Sequence, residues 1–322
     1  MRIKALVVVA SLLISPLAAA QAWPSKSLRL ITPYPAGSGT DTLLRAMGNE
    51  MNKAWGQTVV VDNRPGASTM IAAQTCARAP ADGYTLCMLD RSLSTLPHLY
   101  RKLPFDPDRD FTPITLLANL IAALAVSPNV PANSVKELID YARANPGKLN
   151  YSTPGEGTPP HLQMEWIKQK YGINIVHVPF KSPPEIVRTL VAGDIQVTIF
   201  GLINMLGPIR AGKAKALALS GTTRSPLLPD VPTMAETGIE PPNNQRTWFA
   251  LYGPAGLPKD VVDKVYRETV RMFSQAGFRE ERLLGQGWEP RASTGEELAR
   301  FMKADRAAAA ELVRMSGAKV QD

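Results

Sequence analysis

The sequence predicts an α/β protein built as two lobes joined by two crossing strands. Three observations predict it. Short β-branched or apolar runs alternate with segments of helical period in two separate blocks. An apolar stretch leads out of the first block and another leads back to it. Each block carries a Gly-x-Gly-Thr loop between a strand and a helix. At 322 residues the chain is long enough for two domains, each able to bury its own core.

The elements follow in order. Residues 1–22 read as a secretory signal: Arg2 and Lys4 give a positive start, Ala5 to Ile14 an apolar stretch, and Ala20-Gln21-Ala22 a cleavage site. Pro16 interrupts the run well short of the ~20 residues a membrane span needs. Leu28 to Thr32 is a predicted strand. Thr40 to Trp55 is a helix with Leu43, Leu44, Met47 and Met51 along one face. Strands at Thr58 to Val61 and Tyr84 to Leu89 flank a helix at Met70 to Arg78, and the alternation predicts parallel pairing. Cys76 and Cys87 lie on either side of the Pro80-Ala81-Asp82-Gly83 turn, and the sequence allows either a disulfide or two buried thiols.

The apolar segment Ile114 to Val126 leads into the second block, where Ser134 and Glu137 form a capping box. Strands near Leu149 to Ser152, Ile173 to Val178, Ile195 to Phe200 and Ala214 to Leu219 alternate there with helices at Pro159 to Tyr171, Pro184 to Ala192 and Asn204 to Ala211. A polar connection at Pro241 to Asn244 precedes the strand Thr247 to Tyr252. Helices at Lys259 to Gln275 and Thr294 to Met315 end the chain. The expected division is residues 23–125 with 247–322 in one lobe and 126–246 in the other.

The two glycine loops point to an anion. Pro35-Ala36-Gly37-Ser38-Gly39-Thr40-Asp41 and Pro154-Gly155-Glu156-Gly157-Thr158-Pro159 both run into a helix start. Glycine lets the backbone approach a ligand closely, and a helix start offers unpaired N–H groups and a positive dipole end. Thr40 and Thr158 can cap their helices or give a hydroxyl to a carboxylate. Asp41 is expected to compensate the dipole on the side away from the ligand. Arg91 and Lys181 follow strand ends and could add charge, and His161 could donate to a carboxylate.

Other chemistries find little support. Two cysteines and three histidines leave no thiolate cluster and little for zinc. Gly207 to Ala214 imitates a phosphate-binding loop but has Ala214 where Ser or Thr is needed, and Thr42 replaces the third glycine of a dinucleotide fingerprint. The net charge of +8 is scattered, with no basic block longer than Arg101-Lys102, so nucleic acid is not an expected partner. A rival reading is an exported hydrolase with His161 as base and Ser152 or Ser38 as nucleophile. Another is a ligand sensor for a membrane kinase.

Tyr34 to Asp41, Asp62-Asn63-Arg64-Pro65-Gly66-Ala67, Asp82 to Leu86, Leu99 to Pro107, Gly147 to Tyr151, His177 to Lys181, Leu228 to Thr233 and Gly253 to Gly256 resemble the receptors of tripartite tricarboxylate transporters, the Bug proteins. The resemblance runs in order along the chain beyond residue 22. It implies a periplasmic-binding-protein (Venus flytrap) fold, no enzymatic activity, no cofactor, and a monomer in the periplasm that closes on a small organic carboxylate. It also implies that membrane permease subunits receive the ligand. The family's carboxylate-holding loops correspond to the two loops above, and with the residues read from the sequence the expected ligand-binding set is Tyr34, Ala36, Gly37, Ser38, Gly39, Thr40, Asp41, Arg91, Ser152, Gly155, Gly157, Thr158, His161, Lys181 and Phe200. Of these, Tyr34, Arg91, Lys181 and Phe200 shape the pocket beyond the loops. Some amino-acid-binding members carry an Asp at the place of Phe200, and the ring there argues against an ammonium group and, with Tyr34, for a less polar or aromatic acid. Ser38, Ser68 and Thr69 stand where many members have glycine.

Overall fold

A computed structural model describes residues 23–321 apart from 181, 222, 240–245 and 319. The expected signal segment, Lys181 and the Pro241 to Asn244 connection therefore lie outside the described residues. The first block folds as β1 (Leu28–Thr32), α1 (Gly39–Trp55), β2 (Val59–Asn63), α2 (Met70–Ala77), β3 (Thr85–Asp90), α3 (Ser92–Leu99) and β4 (Phe111–Leu120). The second comprises β5 (Ala122–Val126), α4 (Val135–Ala144), β6 (Leu149–Thr153), α5 (Pro159–Tyr171), β7 (Ile175–Pro179), α6 (Pro183–Ala192), β8 (Val197–Gly201), α7 (Leu202–Arg210) and β9 (Lys215–Leu219). The chain then returns through β10 (Thr247–Pro254), α8 (Lys259–Ser274), α9 (Ala276–Phe278), β11 (Trp288–Pro290) and α10 (Gly295–Ser316).

The helices form where their apolar faces find a sheet. Leu43, Leu44, Met47 and Met51 of α1 are buried in one cluster with Leu30, Leu86 and Phe249. At its other end Gly56 closes α1 in the left-handed conformation, its N–H donating to Asn52 O. The capping box at Thr294 and Glu297 is fully formed at the start of α10. That at Ser134 is partly different, since Glu137 returns to the Asn133 N–H rather than to Ser134. Helix α3 was not legible because Pro97 sits within it, near its end.

The expected parallel pairing holds for β1 with its neighbours and for β6 with its own, but both sheets are mixed because antiparallel strands extend them. In the first, ordered β11-β4-β10-β3-β1-β2, β1 runs parallel to β2 and β3, while β10 is antiparallel to β3 and β4. In the second, ordered β7-β6-β8-β5-β9, β6 is parallel to its neighbours and β5 antiparallel to β8 and β9. The antiparallel members include the crossing strands, which enter from the opposite lobe. The change of sheet falls at Ile121, ahead of the expected boundary at 125/126, because Ala122 to Val126 already pair with β8 and β9.

Helix α10 makes a third crossing. It packs on α3 and β4, yet Leu312 and Val313 near its end are buried in the second lobe's core with Leu162 and Ile167. Beyond it, Gln321 N–H donates to Leu99 O and Arg101 N–H to Gln321 O.

Cys76 in α2 and Cys87 in β3 form a disulfide across 11 residues, buried beside Ile31 and Ala73. Replacing both by alanine removes a covalent restriction on the unfolded chain and should lower stability by about 2–4 kcal/mol. A urea midpoint indistinguishable from wild type, with the bond verified by mass spectrometry, would contradict this.

Candidate functional site

A cavity of about 790 Å³ lies between the lobes, walled by the loops after β1, β3, β6 and β8. These are the carboxyl ends of strands, where open α/β sheets present their ligand sites.

The first loop supplies Tyr34, Ser38, Gly39 and Thr40 to the wall. Ser38, not Thr40, caps α1: its Oγ accepts from Asp41 N–H at 3.2 Å and lies 3.0 Å from Thr40 Oγ1. Asp41 is buried and turned into the loop, accepting from Gly37 N–H at 2.9 Å, Arg45 Nε at 2.9 Å and Asn63 Nδ2 at 2.8 Å. Burial pushes its carboxyl up, but these donors outweigh that and hold it below the usual range. Gly37, at φ +79°, thus spends its amide on Asp41. Ala36, Gly37 and Asp41 shape the loop without lining the cavity.

The second loop supplies Gly155, Glu156 and Thr158. Its amides are also engaged. Gly155 N–H donates to Thr153 Oγ1 at 3.3 Å, and Gly157 N–H donates to His161 Nδ1 at 3.1 Å. Thr158 Oγ1 donates to Gly155 O at 2.7 Å. Pro159 and Pro160 open α5 and have no N–H, so this helix start is poor in donors. The two loops are alike in sequence and unlike in what they offer a ligand. Of the four glycine amides named from sequence, only that of Gly39 has no acceptor in the described protein.

His161 stands outside the cavity wall, in a half-buried stack with Tyr151 and His177. The two imidazoles are 4.5 Å apart between centroids, and His177 stacks on Tyr151 at 4.7 Å. Thr153 Oγ1 and His177 Nε2 are hydrogen-bonded at 2.7 Å, and Glu165 accepts from both Tyr151 Oη at 2.5 Å and Lys168 Nζ at 2.6 Å. Burial, with neighbouring His161 and Lys168 against the opposing Glu165, brings His177 down to about 4. Burial also lowers His161, against the pull of Glu165 and Glu156. Both rings are therefore neutral near pH 7, and the Nδ1 lone pair of His161 is free to accept from Gly157.

Two further residues sit elsewhere than expected. Arg91 is fully buried and stands outside the cavity wall, its Nε 3.2 Å from Asp305 Oδ1, while Trp248 Nε1 donates to Asp305 Oδ2 at 2.8 Å. It fastens α10 to the first lobe. The residue before it, Asp90, ends β3 and faces the cavity instead, whereas Arg91 has already left the strand in a helical conformation at the start of α3 and turns to Asp305 of α10. Ser152 is likewise buried in β6 and does not line the cavity.

Asp90 is the principal wall residue that sequence reasoning missed. It accepts from Tyr34 Oη, from Thr69 Oγ1 at 3.0 Å and from Ser92 N–H at 2.9 Å. Burial raises its carboxyl despite these donors. Burial and the adjacent Asp90 also raise Tyr34 well above the usual phenol range, which keeps its hydroxyl a donor. Its position at the end of a predicted strand was the available signal. Tyr34 continues into an aromatic row, 5.7 Å from Phe249, which meets Trp288 edge-on at 5.0 Å. Phe200 and Ile203 come from the second lobe to the same cavity. Ser68 Oγ donates to Glu156 O at 2.7 Å and joins the rims of the two lobes. It does so from a backbone in which Ala67, Ser68 and Thr69 all have positive φ, a costly conformation without glycine. Among the described residues no group of three His, Cys, Asp or Glu side chains could hold a metal ion.

Two mixed sheets, a cleft at their strand ends and glycine loops from both lobes define the chain as a two-lobed periplasmic-binding-protein fold. Solved structures agree. One described as a periplasmic transporter is 36% identical with a TM-score of 0.87, covering 93% of this chain and 100% of the other. A Rhodopseudomonas palustris protein solved with adipate is 31% identical with a TM-score of 0.86, covering 92% and 98%. The periplasmic binding protein BugD is 29% identical with a TM-score of 0.85, covering 93% and 100%. Residues 43–317 match the tripartite tricarboxylate transporter family receptor, and this chain belongs to that family. Among curated relatives, a UPF0065 protein of Bordetella pertussis is 35% identical over 296 residues, 92% of this chain and 91% of the relative.

A histidine whose folded pKa lies below its unfolded value, ~6.5, takes up a proton on unfolding. Its stabilising effect is complete above that value and is lost as pH falls towards the folded pKa, about 4 for His177. Wild type should therefore lose stability between these limits more steeply than the variant His161→Gln/His177→Gln. Matching slopes in denaturant titrations would contradict this.

Asp41→Ala should release Gly37 N–H and Asn63 and destabilise the protein by about 1–3 kcal/mol, with ligand affinity falling alongside. Thermal melts and calorimetry check both.

Proposed function

We propose that this chain is an extracytoplasmic receptor that captures a small organic carboxylate between its lobes. It delivers that ligand to the membrane permease subunits of a tripartite tricarboxylate-type transporter. The chain acts as a monomer in the periplasm after removal of its signal segment. The observation that carries the reading is the start of α1 at the cavity wall. There Gly39 N–H has no protein acceptor, the hydroxyls of Ser38 and Thr40 stand together, and 17 residues of helix dipole point at the same place. A carboxylate seated there gains charge-assisted hydrogen bonds.

The remaining wall describes the rest of the ligand. Tyr34, Phe249 and Trp288 on one side and Phe200 on the other suit an apolar or aromatic body better than further charge. Asp90 has protein donors on both oxygens, so it offers an ammonium group little. The adipate-bound relative and a malate-bound one, MatC, 27% identical with a TM-score of 0.82, support a carboxylate as the class of ligand. Closure follows from a ligand touching both lobes, since only differential contacts shift such an equilibrium.

The test is mass spectrometry of small molecules released from the purified protein, then calorimetry with those acids, adipate, malate and benzoate. An unaminated acid should bind more tightly than aspartate or glutamate, and Thr40→Val should weaken it by about tenfold or more. No bound acid in either experiment, or preference for an amino acid, would overturn the reading. Loss of acid uptake on gene deletion, with the permease intact, would establish delivery.

A further inference from the structure

The glycine loops have a second role that anion binding does not require. A Cβ placed on Gly39 would lie 2.8 Å from Cγ2 and 3.1 Å from Cγ1 of Ile203, and closer still to its Cδ1. Gly39 opens α1 in the first lobe, and Ile203 stands in the first turn of α7 in the second. The relation is reciprocal. A Cβ on Gly157, in the second lobe, would lie 2.8 Å from Cδ1 of Leu99, at the end of α3 in the first. Each lobe thus presents a bare backbone position, and the other lobe fills it with a branched side chain.

We infer that Gly39 and Ile203 form a closing seat, a steric key that sets how far the lobes approach. Gly39 has no positive φ, so alanine fits its backbone, and alanine is the better helix former. Nothing within the first lobe therefore calls for glycine there. The obstruction comes from the opposite lobe. Ile203 cannot easily yield, because a β-branched side chain in a helix has one strongly preferred χ1 and its Cγ2 and Cγ1 are both in the way. Ile203 is a positioning residue, and the bare Cα of Gly39 is its counterpart, in addition to the N–H that Gly39 offers the ligand: together they govern closure. Because Gly157 has a φ of +73°, any substitution there strains the backbone as well, so Gly39 gives the cleaner test.

The inference rests on the carboxylate-receptor reading for its ligand measurement but not for its structural one. Wild type, Gly39→Ala and Gly39→Ala/Ile203→Ala are compared by small-angle scattering as isolated and with saturating adipate, by calorimetry with adipate, and by thermal melting. The single variant is expected to scatter as a more expanded particle than the other two and to bind adipate about tenfold more weakly. Its melting temperature should equal or exceed that of wild type. The double variant should recover both the compact curve and most of the affinity.

Three superimposable scattering curves would overturn the seat, as would a double variant no more compact than the single. A lowered melting temperature in Gly39→Ala would also overturn it, because Gly39 would then serve the first lobe's own folding. If adipate leaves wild type unchanged and unbound, the carboxylate reading fails for this acid, while scattering of the isolated proteins still decides the seat.

Discussion

One residue ties the two lobes together through its backbone alone. Ile121 donates its N–H to Gly287 O in the first lobe at 2.9 Å, and its carbonyl accepts from Leu202 N–H in the second at 2.8 Å. It is 8% exposed, so neither group has water as a ready substitute, and unpaired buried backbone groups are costly. This exchange fixes where β4 gives way to β5 and hence where two sheets face each other. Leu120 lies beside Gly201 at the same junction, where a Cβ on that glycine would come within 2.9 Å of Leu120 Cδ2. The cleft has its shape because this corner has no slack.

From that corner the strand ends of both sheets converge, and each contributes a different kind of group. The first lobe brings an anion-friendly helix start, a buried carboxylate that organises a phenol and a hydroxyl, and a row of aromatic rings. The second brings apolar side chains and a loop whose polar groups are mostly turned on one another. The wall is therefore asymmetric. In the proposed reading the first lobe recognises charge, the second supplies apolar shape, and both meet at the closing seat.

Much of this was legible in the sequence because it is local. The strand–helix alternation, the capping residues and the glycine loops depend on neighbours within a few positions, and α5 spans the predicted Pro159 to Tyr171. What escaped was set at long range. Arg91 was expected in the wall and Asp90 was not, because the chain leaves β3 between them and only the position of α10 reveals where the Arg91 side chain goes. Phe249, Trp288 and Ile203 gave no signal, since nothing near them in sequence marks them as meeting Tyr34 or Gly39. The antiparallel direction of β5 followed from its entry out of the other lobe, which no periodicity encodes.

The C-terminal helix sets a bound on motion. Arg91 and Trp248 hold Asp305 to the first lobe, while Leu312 and Val313, about two turns further on, are sunk into the second. A swinging lobe must either drag this rod along or pull apolar side chains into water. The protein thus behaves like a door on a short chain, and the length of the chain is written in the spacing between those anchors.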